Sequence, residues 1–463
     1  MSVELANNGI ARIAEISEDA YGNICFKGRH LANLKDLPTL FPRWDQELCW
    51  ITKVKSDGSV EDKGIPITLV RNIVRVHFTN DPWSRFGSKQ QPNTYFCRLR
   101  WMCIEDSTEL YVRYLDADEA DEGYRVPPSV LRRHWRGETR LFGSSGSDGN
   151  RKYTFGDGFC GAGGISCGAR MAGLDVKWSF DHNEAATRTY RMNFPDTICE
   201  LADFDQFMTN LAEDIRVDIS HSSPPCQTWS PAHTVASADD DRNSALIFSS
   251  YNLIQKVRPR IHTLEQTSGL PERYKEEYYW VVRDTLELGY SVHAKVVRAD
   301  EYGVPQRRKR LIFIAAGPGE RLPQFPEPTH GPGRRPYVTI YSAISGIPAD
   351  APDHDIQGAA FPPGFEKSPF DANTLAKTIT CGGGENYHPS GLRRYTNREL
   401  ASLQTFPVTY QFASNMKKQV GNAVPPKLAE ALYRAIIGSL RQTDAEELRM
   451  ARQDQERNVI VLN

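Results

Sequence analysis

KYTFGDGFCGAGGISCGARMAGL, residues 152–174, decides the fold, because a short strand, a glycine-rich turn and the start of a helix follow one another there. The same order recurs along the chain. DVKWSFD (175–181), VDISHSS (217–223) and IHTLEQ (261–266) have strand character, and a stretch with helical spacing follows each of them. Strands and helices that alternate at this spacing predict an α/β fold with a doubly wound, mainly parallel sheet.

The regions on either side of this pattern differ from it. Short runs rich in β-branched and aromatic residues at 48–54, 67–78, 94–104 and 109–114 predict a small β-rich domain. We expect an N-terminal segment of uncertain order at 1–40, the β-rich domain at 41–143 and a Gly/Ser linker at 141–152. A core at 152–317 follows, then a loop-rich insert rich in Pro and Gly at 318–390. The core resumes at 391–445, and 446–463 is a C-terminal tail.

Composition excludes several classes of protein. The chain has 463 residues, of which 40% are hydrophobic and 25% charged, as is typical of globular domains. No run of 18 apolar residues occurs, and the N-terminus lacks the pattern of a secretory signal, so we expect neither a membrane span nor export. The nine cysteines form no CxxC pair and the histidines no HExxH, so we expect no metal site and a reducing compartment. The net charge of −2 means that any nucleic-acid surface must be local.

The glycine-rich turn FGDGFCGAGG (155–164) predicts a nucleotide-like ligand, because glycines let the backbone approach such a ligand closely. The spacing is neither GxGxxG nor that of a phosphate-binding P-loop. An acid ends each of the next strand regions, Asp181 and Asp203, where carboxylates suit ribose hydroxyls and an adenine amino group. This pattern fits an adenosine ligand without a phosphate cradle, such as S-adenosylmethionine. The alternative is a tight turn whose glycines serve packing alone.

Two further strand ends carry reactive groups. Pro224, Pro225 and Cys226 follow one strand, and Glu265 ends the next. Because active sites in such sheets lie at the carboxyl ends of the strands, the thiol and the carboxyl are expected at the same edge. That pairing suits nucleophilic attack by sulfur on a heteroaromatic ring that the carboxyl protonates. A buried structural cysteine and a surface glutamate are the alternatives.

The remaining motifs are a cationic run and a helix start. YGVPQRRKRLIFIA (302–315) places four cations before an apolar strand at the same sheet edge, which suits phosphate or base contacts, although such a run is usually a solvated patch. KQVGNAVPPKLAEAL (418–432) places proline in the first turn of a long helix.

Taken in order, these five elements resemble the cytosine carbon-5 DNA methyltransferase family over about residues 153–440. The resemblance includes PPCQ (224–227), the acid of the family's ENV motif at Glu265, a QxRxR pattern at 306–310, and RRYTNRELASLQTFP (393–407) before GNAVPP (421–426). It implies a fold of the S-adenosylmethionine-dependent methyltransferase type and an enzyme that transfers a methyl group to carbon 5 of a flipped cytosine in double-stranded DNA, with S-adenosylhomocysteine as the product. The resemblance also implies that the insert at 318–390 is the target-recognition region.

The resemblance also assigns residues. It makes Cys226 the nucleophile and Glu265 its acidic partner, with Arg308 and Arg310 holding the flipped base or its phosphates. Cofactor contacts are expected at Asp157, Phe159, Gly161, Gly163, Gly164, Asp181, His182, Asp203, Pro225, Asn422 and Ala423. DNA contacts are expected at Gln227, Ser230, Arg242, Gln306, Arg334, Arg335 and Arg394, and the polar segment 227–243 is expected to close over DNA.

One departure from the family narrows the prediction. Where the family has ENV, this chain has EQT at Glu265, Gln266 and Thr267. The variant resembles the fungal RID-type subgroup, which is associated with premeiotic silencing of repeated DNA, and implies gene silencing in the nucleus. TYFCRLRWMCIEDSTELYVRYL (94–115) is similar to the middle of bromo-adjacent homology (BAH) domains, which bind histone tails or other proteins. An unrelated β-barrel is the alternative there. A homodimer is compatible with the sequence.

Two other functions are compatible with these residues. One is methylation of tRNA cytosine by the RNA-acting relative in the family, which carries a CFT-type signature that is absent from this sequence. The other is a chromatin scaffold that keeps the fold with weak or no activity. The Cys226–Glu265 pair opposes the scaffold hypothesis, and EQT in place of ENV favours it.

Overall fold

The structure is a computed structural model. It describes residues 1–7, 9–18, 22–42, 46–61, 64–84, 93–137, 152–210, 215–225, 246–381 and 386–461, with the backbone alone at 210 and 454–461. The predicted linker therefore lies almost wholly outside the described residues. So do Cys226, Gln227, Ser230 and Arg242. No helix in the described part of the chain has the length and apolar character needed to cross a membrane.

The strands follow one another along the whole N-terminal two thirds of the chain. Their bounds are β1 (Ser2–Leu5), β2 (Ile10–Glu18), β3 (Ile24–Asn33), β4 (Glu47–Val54), β5 (Ile65–Pro66), β6 (Val70–Phe78), β7 (Thr94–Ile104), β8 (Leu110–Tyr114), β9 (Thr154–Gly158), β10 (Asp175–Asp181), β11 (Ile198–Leu201), β12 (Ile219–Ser222), β13 (Ile261–Thr267), β14 (Ser291–Arg298) and β15 (Lys309–Ala316).

Helices connect the later strands and cover the C-terminal third. Their bounds are α1 (Pro128–Arg136), α2 (Gly164–Met171), α3 (Glu184–Asn193), α4 (Phe204–Asn210), α5 (Ser249–Val257), α6 (Gly269–Arg273), α7 (Lys275–Glu287), α8 (Ile340–Ile344), α9 (Asn397–Leu403), α10 (Met416–Asn422) and α11 (Pro426–Val461). Short 3-10 turns occur at Leu34–Asp36, Ile67–Leu69, Glu122–Tyr124 and Ala299–Tyr302.

The catalytic half is a sheet in the order β11–β10–β9–β12–β13–β15–β14. The first five strands are parallel, and β15 runs antiparallel to both of its neighbours. This is the predicted doubly wound, mainly parallel sheet. Because β9 lies inside the sheet and β10, β12 and β13 run parallel with it, the residues that follow these strands meet at one edge.

The N-terminal region forms a barrel. Its strands pair in the order β7–β4–β3–β2–β1–β6, and the pairing of β6 with β7 closes the circle. The N-terminal region is β-rich, as predicted. Its strands begin before the predicted boundary at residue 41, in the described part of the segment 1–40. This segment supplies β1, β2 and β3, which reach the barrel through pairings distant in sequence, such as Val3 with Ile73.

One strand joins the barrel to the catalytic sheet. β8 pairs antiparallel with β7 and also with β14, where Val112 faces Val292. Tyr114 reinforces the junction, because its backbone N–H donates to Ser291 Oγ at 3.0 Å and its hydroxyl donates to Leu286 O at 2.7 Å. The two halves thus share one continuous sheet.

The main core lies between the parallel strands and α11. Phe155, Ile219, Ile261 and Ile314 on the sheet are essentially inaccessible, as is Tyr433 on α11. Their side chains provide the hydrophobic surface that fixes the helix against the sheet. The helix continues to Val461, so the predicted C-terminal tail at 446–463 is helical as far as 461. In the described residues of the insert, 318–381 and 386–390, the backbone is irregular apart from α8.

A buried charge cluster fastens α11 to the far end of the sheet. Arg260, just before β13, donates to Asp444 Oδ1 at 2.6 Å and to Glu320 Oε1 at 2.7 Å, and the side chains of all three residues are at most 2% exposed. Tyr153 adds a hydroxyl hydrogen bond to Asp444 at 2.9 Å. Both carboxylates are therefore needed to compensate the loss of hydration around the guanidinium.

We predict that Asp444→Ala lowers the free energy of unfolding by about 3–5 kcal/mol, because it leaves the buried guanidinium of Arg260 undercompensated. Glu446→Ala, on the same helix, is the matched control. Glu446 pairs with Arg321 in solvent and should contribute less than about 1 kcal/mol. Denaturant titration of the three proteins compares the losses; equal losses would contradict the importance of the buried cluster.

Candidate active site

The turn after β9 is shaped by left-handed backbone. Phe159 has φ 56° and Gly161 has φ 52°, and α2 begins after Gly163 at φ 82°. A Cβ built on Gly161 would meet no atom within 4 Å, whereas one on Gly164 would lie 2.4 Å from the carbonyl oxygen of Val424. The turn therefore stays open on the side of Gly161 and packs against backbone on the side of Gly164.

Asp181, the last residue of β10, holds that turn in place. Its Oδ2 accepts from the backbone N–H of Gly161 at 2.9 Å, and its Oδ1 accepts from that of Asn183 at 2.8 Å. The carboxylate is thus oriented by two backbone donors at the edge of the sheet. His182 follows it, exposed at the same edge.

Asp157 is the most perturbed acid at this edge. Its carboxylate is 1% exposed and lies on β9. Oδ2 accepts from Ser166 Oγ at 2.6 Å, and Ser166 in turn accepts from the hydroxyl of Tyr190 at 2.7 Å. Oδ1 has no hydrogen-bond partner among the described residues. Burial raises the pKa of Asp157 to about 7, and the nearby carboxylate of Asp181 adds to the rise, while the Ser166 hydrogen bond opposes it.

These residues line one cavity of about 260 Å³ at the carboxyl edge of the sheet. Among the predicted site residues, the cavity brings together Asp157, Phe159, Gly161, Gly164, Asp181, His182, Pro225, Glu265, Asn422 and Ala423. Gly163 and Asp203 are not among the lining residues. Asp203 caps α4 instead, since its Oδ1 accepts from the backbone N–H of Gln206 at 2.9 Å.

Glu265 forms the wall of the cavity opposite the glycine-rich turn. It is 4% exposed, and its Oε1 lies 2.7 Å from Nε of Arg310 on the neighbouring strand β15. Arg310 is therefore placed beside the predicted acid and forms an ion pair with it, although its Nε–H makes no hydrogen bond of good geometry among the described residues. Pro224 and Pro225 line the same cavity, and Cys226 follows them in sequence.

Gln266 supports the segment that leads to the cysteine. It is fully buried, and its Nε2 donates to the carbonyl oxygen of Pro224 at 3.0 Å. Its Oε1 has no partner in the described part of the chain. The side chain therefore points away from bulk solvent and into the backbone of the proline loop, where it has a structural role.

A buried chain of polar side chains, which our sequence analysis did not predict, leads from β13 to the cavity. His221 Nε2 lies 2.6 Å from Ser223 Oγ, and its Nδ1 lies 2.8 Å from Thr263 Oγ1. Burial lowers the pKa of His221 well below its usual range, so the ring is neutral and can donate through one nitrogen while it accepts through the other. Ser223 lines the cavity, so this chain sets the orientation of a cavity hydroxyl.

Lys418 and Asn415 are further cavity residues that our sequence analysis did not select. Lys418 is the only lysine or arginine among the residues that line the cavity, against three acids, Asp157, Asp181 and Glu265. The signal was present in KKQVGN (417–422), but a lysine on a short helix has many surface roles, and only the fold brings it to the cavity.

Comparison with known proteins identifies the family. The family model described as C-5 cytosine-specific DNA methylase matches residues 153–350 and 363–438. The chain belongs to this family. It is 30% identical over 323 residues to the type II methyltransferase M.NgoFVII of Neisseria gonorrhoeae, which covers 60% of this chain and 85% of that protein.

Two further similarities extend the comparison. The DNA (cytosine-5)-methyltransferase PliMCI of the sea urchin Paracentrotus lividus is 30% identical over 191 residues, 38% of this chain and 12% of that protein. A solved structure described as a DNA modification methyltransferase encoded within an E. coli prophage aligns with a TM-score of 0.52 and 22% identity, covering 62% of this chain and 99% of that one. This second likeness shows the fold of the mixed α/β sheet.

Methyltransferases of this family use S-adenosylmethionine, and the cavity fits that cofactor. The open side of Gly161 leaves room for a ligand against the turn, and the unpartnered Oδ1 of Asp157 offers an acceptor to an ammonium group. Asp181 presents a carboxylate suited to ribose hydroxyls, and Lys418 suits the carboxylate of the amino-acid end. When bound, the cofactor supplies the methyl group.

Two predicted contacts with nucleic acid are wrong. Gln306 is fully buried and donates to Leu403 O at 3.0 Å, while its Oε1 accepts from the backbone N–H of Ile379 at 3.1 Å. Arg308 is 1% exposed and donates to the carbonyl oxygens of Ile379, Gly421 and Ala423. Both side chains fasten the insert to the core, so neither faces DNA or a flipped base.

We predict that the affinity for S-adenosylhomocysteine rises as the pH increases from 6 to 8. Asp157 loses its proton near pH 7, and the ionised carboxyl attracts the ammonium group of the ligand. Below that pKa the affinity should fall by up to about tenfold per pH unit. Isothermal titration calorimetry of Asp157→Asn should give a nearly flat profile, because the amide does not titrate. A variant with the wild-type pH profile would assign the titration to another group.

We predict that Gln266→Ala reduces methyl transfer while the protein remains folded. The change removes a hydrogen bond to Pro224 that contributes about 0.5–1.5 kcal/mol, and it loosens the loop before Cys226. Gln266→Glu is the matched control for size, since it keeps the length but replaces the donor amide with an acceptor. Full transfer by the Ala variant, with an unchanged melting temperature, would make EQT a neutral difference from ENV.

Proposed function

We propose that this chain is a DNA (cytosine-5-)-methyltransferase that acts on a cytosine flipped out of double-stranded DNA. The observation that carries the proposal is the shared cavity. Pro224, Pro225 and Glu265 line the same space as the glycine-rich turn and Asp181. A reacting base beside Glu265 would therefore face both the residue after Pro225, which is Cys226, and the methyl donor.

The proposed chemistry addresses the weak nucleophilicity of cytosine carbon 5. The thiolate of Cys226 forms a bond to carbon 6 while Glu265 engages ring nitrogen 3, and electron density moves to carbon 5, which then takes up the methyl group. Loss of the carbon-5 proton restores the ring double bond and breaks the bond to sulfur. Arg310 orients the Glu265 carboxylate, and Gln266 positions the backbone that leads to the thiol.

We further propose that the enzyme serves repeat silencing or chromatin-linked DNA methylation in the nucleus of a fungus. The support is the EQT variant at 265–267, which resembles the RID-type subgroup. Gln266 is accommodated without disrupting the site, because its longer amide reaches the carbonyl of Pro224. The longer reach is compatible with a slow enzyme that depends on a partner or on a particular DNA structure.

The N-terminal barrel is proposed as a BAH-like module that contacts histones or other chromatin proteins. Its support is the similarity of 94–115 to the middle of such domains and the strand at Thr94–Ile104 that this stretch forms. For DNA, the insert offers Arg334 and Arg335, and Arg394 follows just after it; all three are exposed. The guanidinium of Arg394 lies over the ring of Phe361, at 5.2 Å from its centroid.

The central prediction is that DNA carrying 5-fluorocytosine traps the protein in a complex that resists denaturation. Fluorine at carbon 5 prevents the last elimination, so the bond between Cys226 and carbon 6 persists. Gel electrophoresis under denaturing conditions with labelled DNA and S-adenosylmethionine should show the adduct for the wild type and none for Cys226→Ala. Cys381→Ala is the matched control, because Cys381 is an exposed thiol beside Asn422, and it should trap as the wild type does.

Tritiated methyl transfer separates the possible functions. Unmethylated, hemimethylated and repeat-containing duplexes should accept label, and tRNA should not. Label in tRNA alone would establish the RNA-directed activity in place of the proposed one. In the trapping experiment, an adduct formed by the Cys226→Ala protein would contradict the assignment of Cys226 as the nucleophile. In the transfer assay, a protein that binds cofactor and DNA but transfers no methyl group would favour the scaffold function.

A further inference from the structure

A second concave surface lies beside the catalytic cavity, between the β14–β15 hairpin and the insert. We name it the basic groove and define it by Arg298, Arg307, Lys309, Tyr337, Thr339 and Asn373. It has a volume of about 700 Å³. The backbone fixes its two walls to each other, because Arg307 N–H donates to Ala376 O at 2.9 Å and Ala376 N–H donates to Pro305 O at 3.0 Å.

The charge of the groove is positive although the chain as a whole is weakly acidic. Arg298, Arg307 and Lys309 face a single lining acid, Asp300, which gives a local charge of +2 (three cations less one acid). Asp300 Oδ2 pairs with Arg298 at 2.5 Å. Arg307 and Lys309 are exposed, and neither forms an ion pair within the described part of the chain. Two cations are therefore available to an anionic ligand.

The groove lies close to the site of chemistry. Arg310 contacts Glu265, and Lys309 precedes it on β15, where alternation turns its side chain to the opposite face. The cross-strand partner of Lys309 is Arg298 on β14. With neighbouring strands about 4.8 Å apart, the edge of the groove is two strands, or about 10 Å, from the strand of Glu265. Double-stranded DNA carries one charge per roughly 1.7 Å of axis, so a duplex docked at Glu265 has several phosphates within that distance.

The wall contributed by the insert is suited to phosphate. Asn373 is exposed and offers a side-chain amide, a group that commonly contacts the DNA backbone without reading sequence, whereas the hydroxyl of Thr339 caps α8. Arg334 and Arg335 precede this wall directly in sequence and are exposed, so the positive surface continues beyond the groove.

We infer that the basic groove binds the phosphodiester backbone of the duplex that flanks the target cytosine, through Arg307 and Lys309. The inference rests on the proposed function, because the groove is placed relative to a cytosine at Glu265. It adds a binding site that positions the duplex and reads no bases.

The test is the salt dependence of binding to a labelled duplex, measured by fluorescence anisotropy with the full-length protein. Each phosphate contact contributes about 0.9 to the slope of log affinity against log salt. The double variant Arg307→Gln with Lys309→Gln should therefore reduce the magnitude of the slope by about 1.8. It should weaken binding roughly 30-fold at 0.15 M salt. Glutamine keeps most of the side-chain length, and an unchanged affinity for S-adenosylhomocysteine verifies that the variant is folded.

Arg449→Gln with Arg452→Gln is the matched control, since both arginines are exposed on α11 and line no part of the groove. Its slope should equal that of the wild type. An unchanged slope in the groove variant overturns the inference, and so does a loss of affinity for duplex RNA or tRNA with none for DNA. The readout is binding and does not depend on catalysis. If the groove variant reduces the slope but the wild type transfers no methyl group, the inference that the groove binds phosphate stands and the proposed catalytic function is contradicted.

Discussion

Two glycines on α2 allow distant parts of the chain to touch backbone to backbone, and the cavity depends on that contact. A Cβ on Gly164 would lie 2.4 Å from Val424 O, and one on Gly168 would lie 2.5 Å from Pro426 O. No larger residue fits without separating α2 from the start of α11. The contact brings Asn422 and Ala423 to the turn after β9, so residues from the first and last elements of this half line one site.

Much of this site could be predicted from sequence because its parts are local patterns joined by one rule. Asp181, Pro225 and Glu265 each follow a stretch with clear strand character, and parallel strands bring their carboxyl ends to a common edge. The rule requires no knowledge of side-chain contacts. The glycine-rich turn was equally visible, since the positive φ values at Gly161 and Gly163 require glycine or a strained residue.

Burial of polar side chains could not be predicted in the same way. Gln306 and Arg308 stand in a run of charged residues that resembles a surface, yet both are buried because the segments around Ile379 and Gly421 return over them. The strands within 1–40 were missed for a related reason. β1 is a strand because it pairs with β2 and β6, and β6 lies far along the chain. The four residues of β1 do not by themselves reveal a pairing with so distant a partner.

The same buried residues connect the insert to the cofactor wall. Arg308 donates to Ile379 O in the insert and to Gly421 O and Ala423 O beside the cavity, so one guanidinium spans both. Protein interiors are closely packed, and a shift of the insert on docking DNA would have to be accommodated by the 421–423 segment. Any such coupling must act in both directions. A ligand that binds the cavity more tightly in one arrangement of the 421–423 segment also favours the insert position that goes with that arrangement. The insert and the 421–423 wall of the cavity are therefore joined through one buried guanidinium.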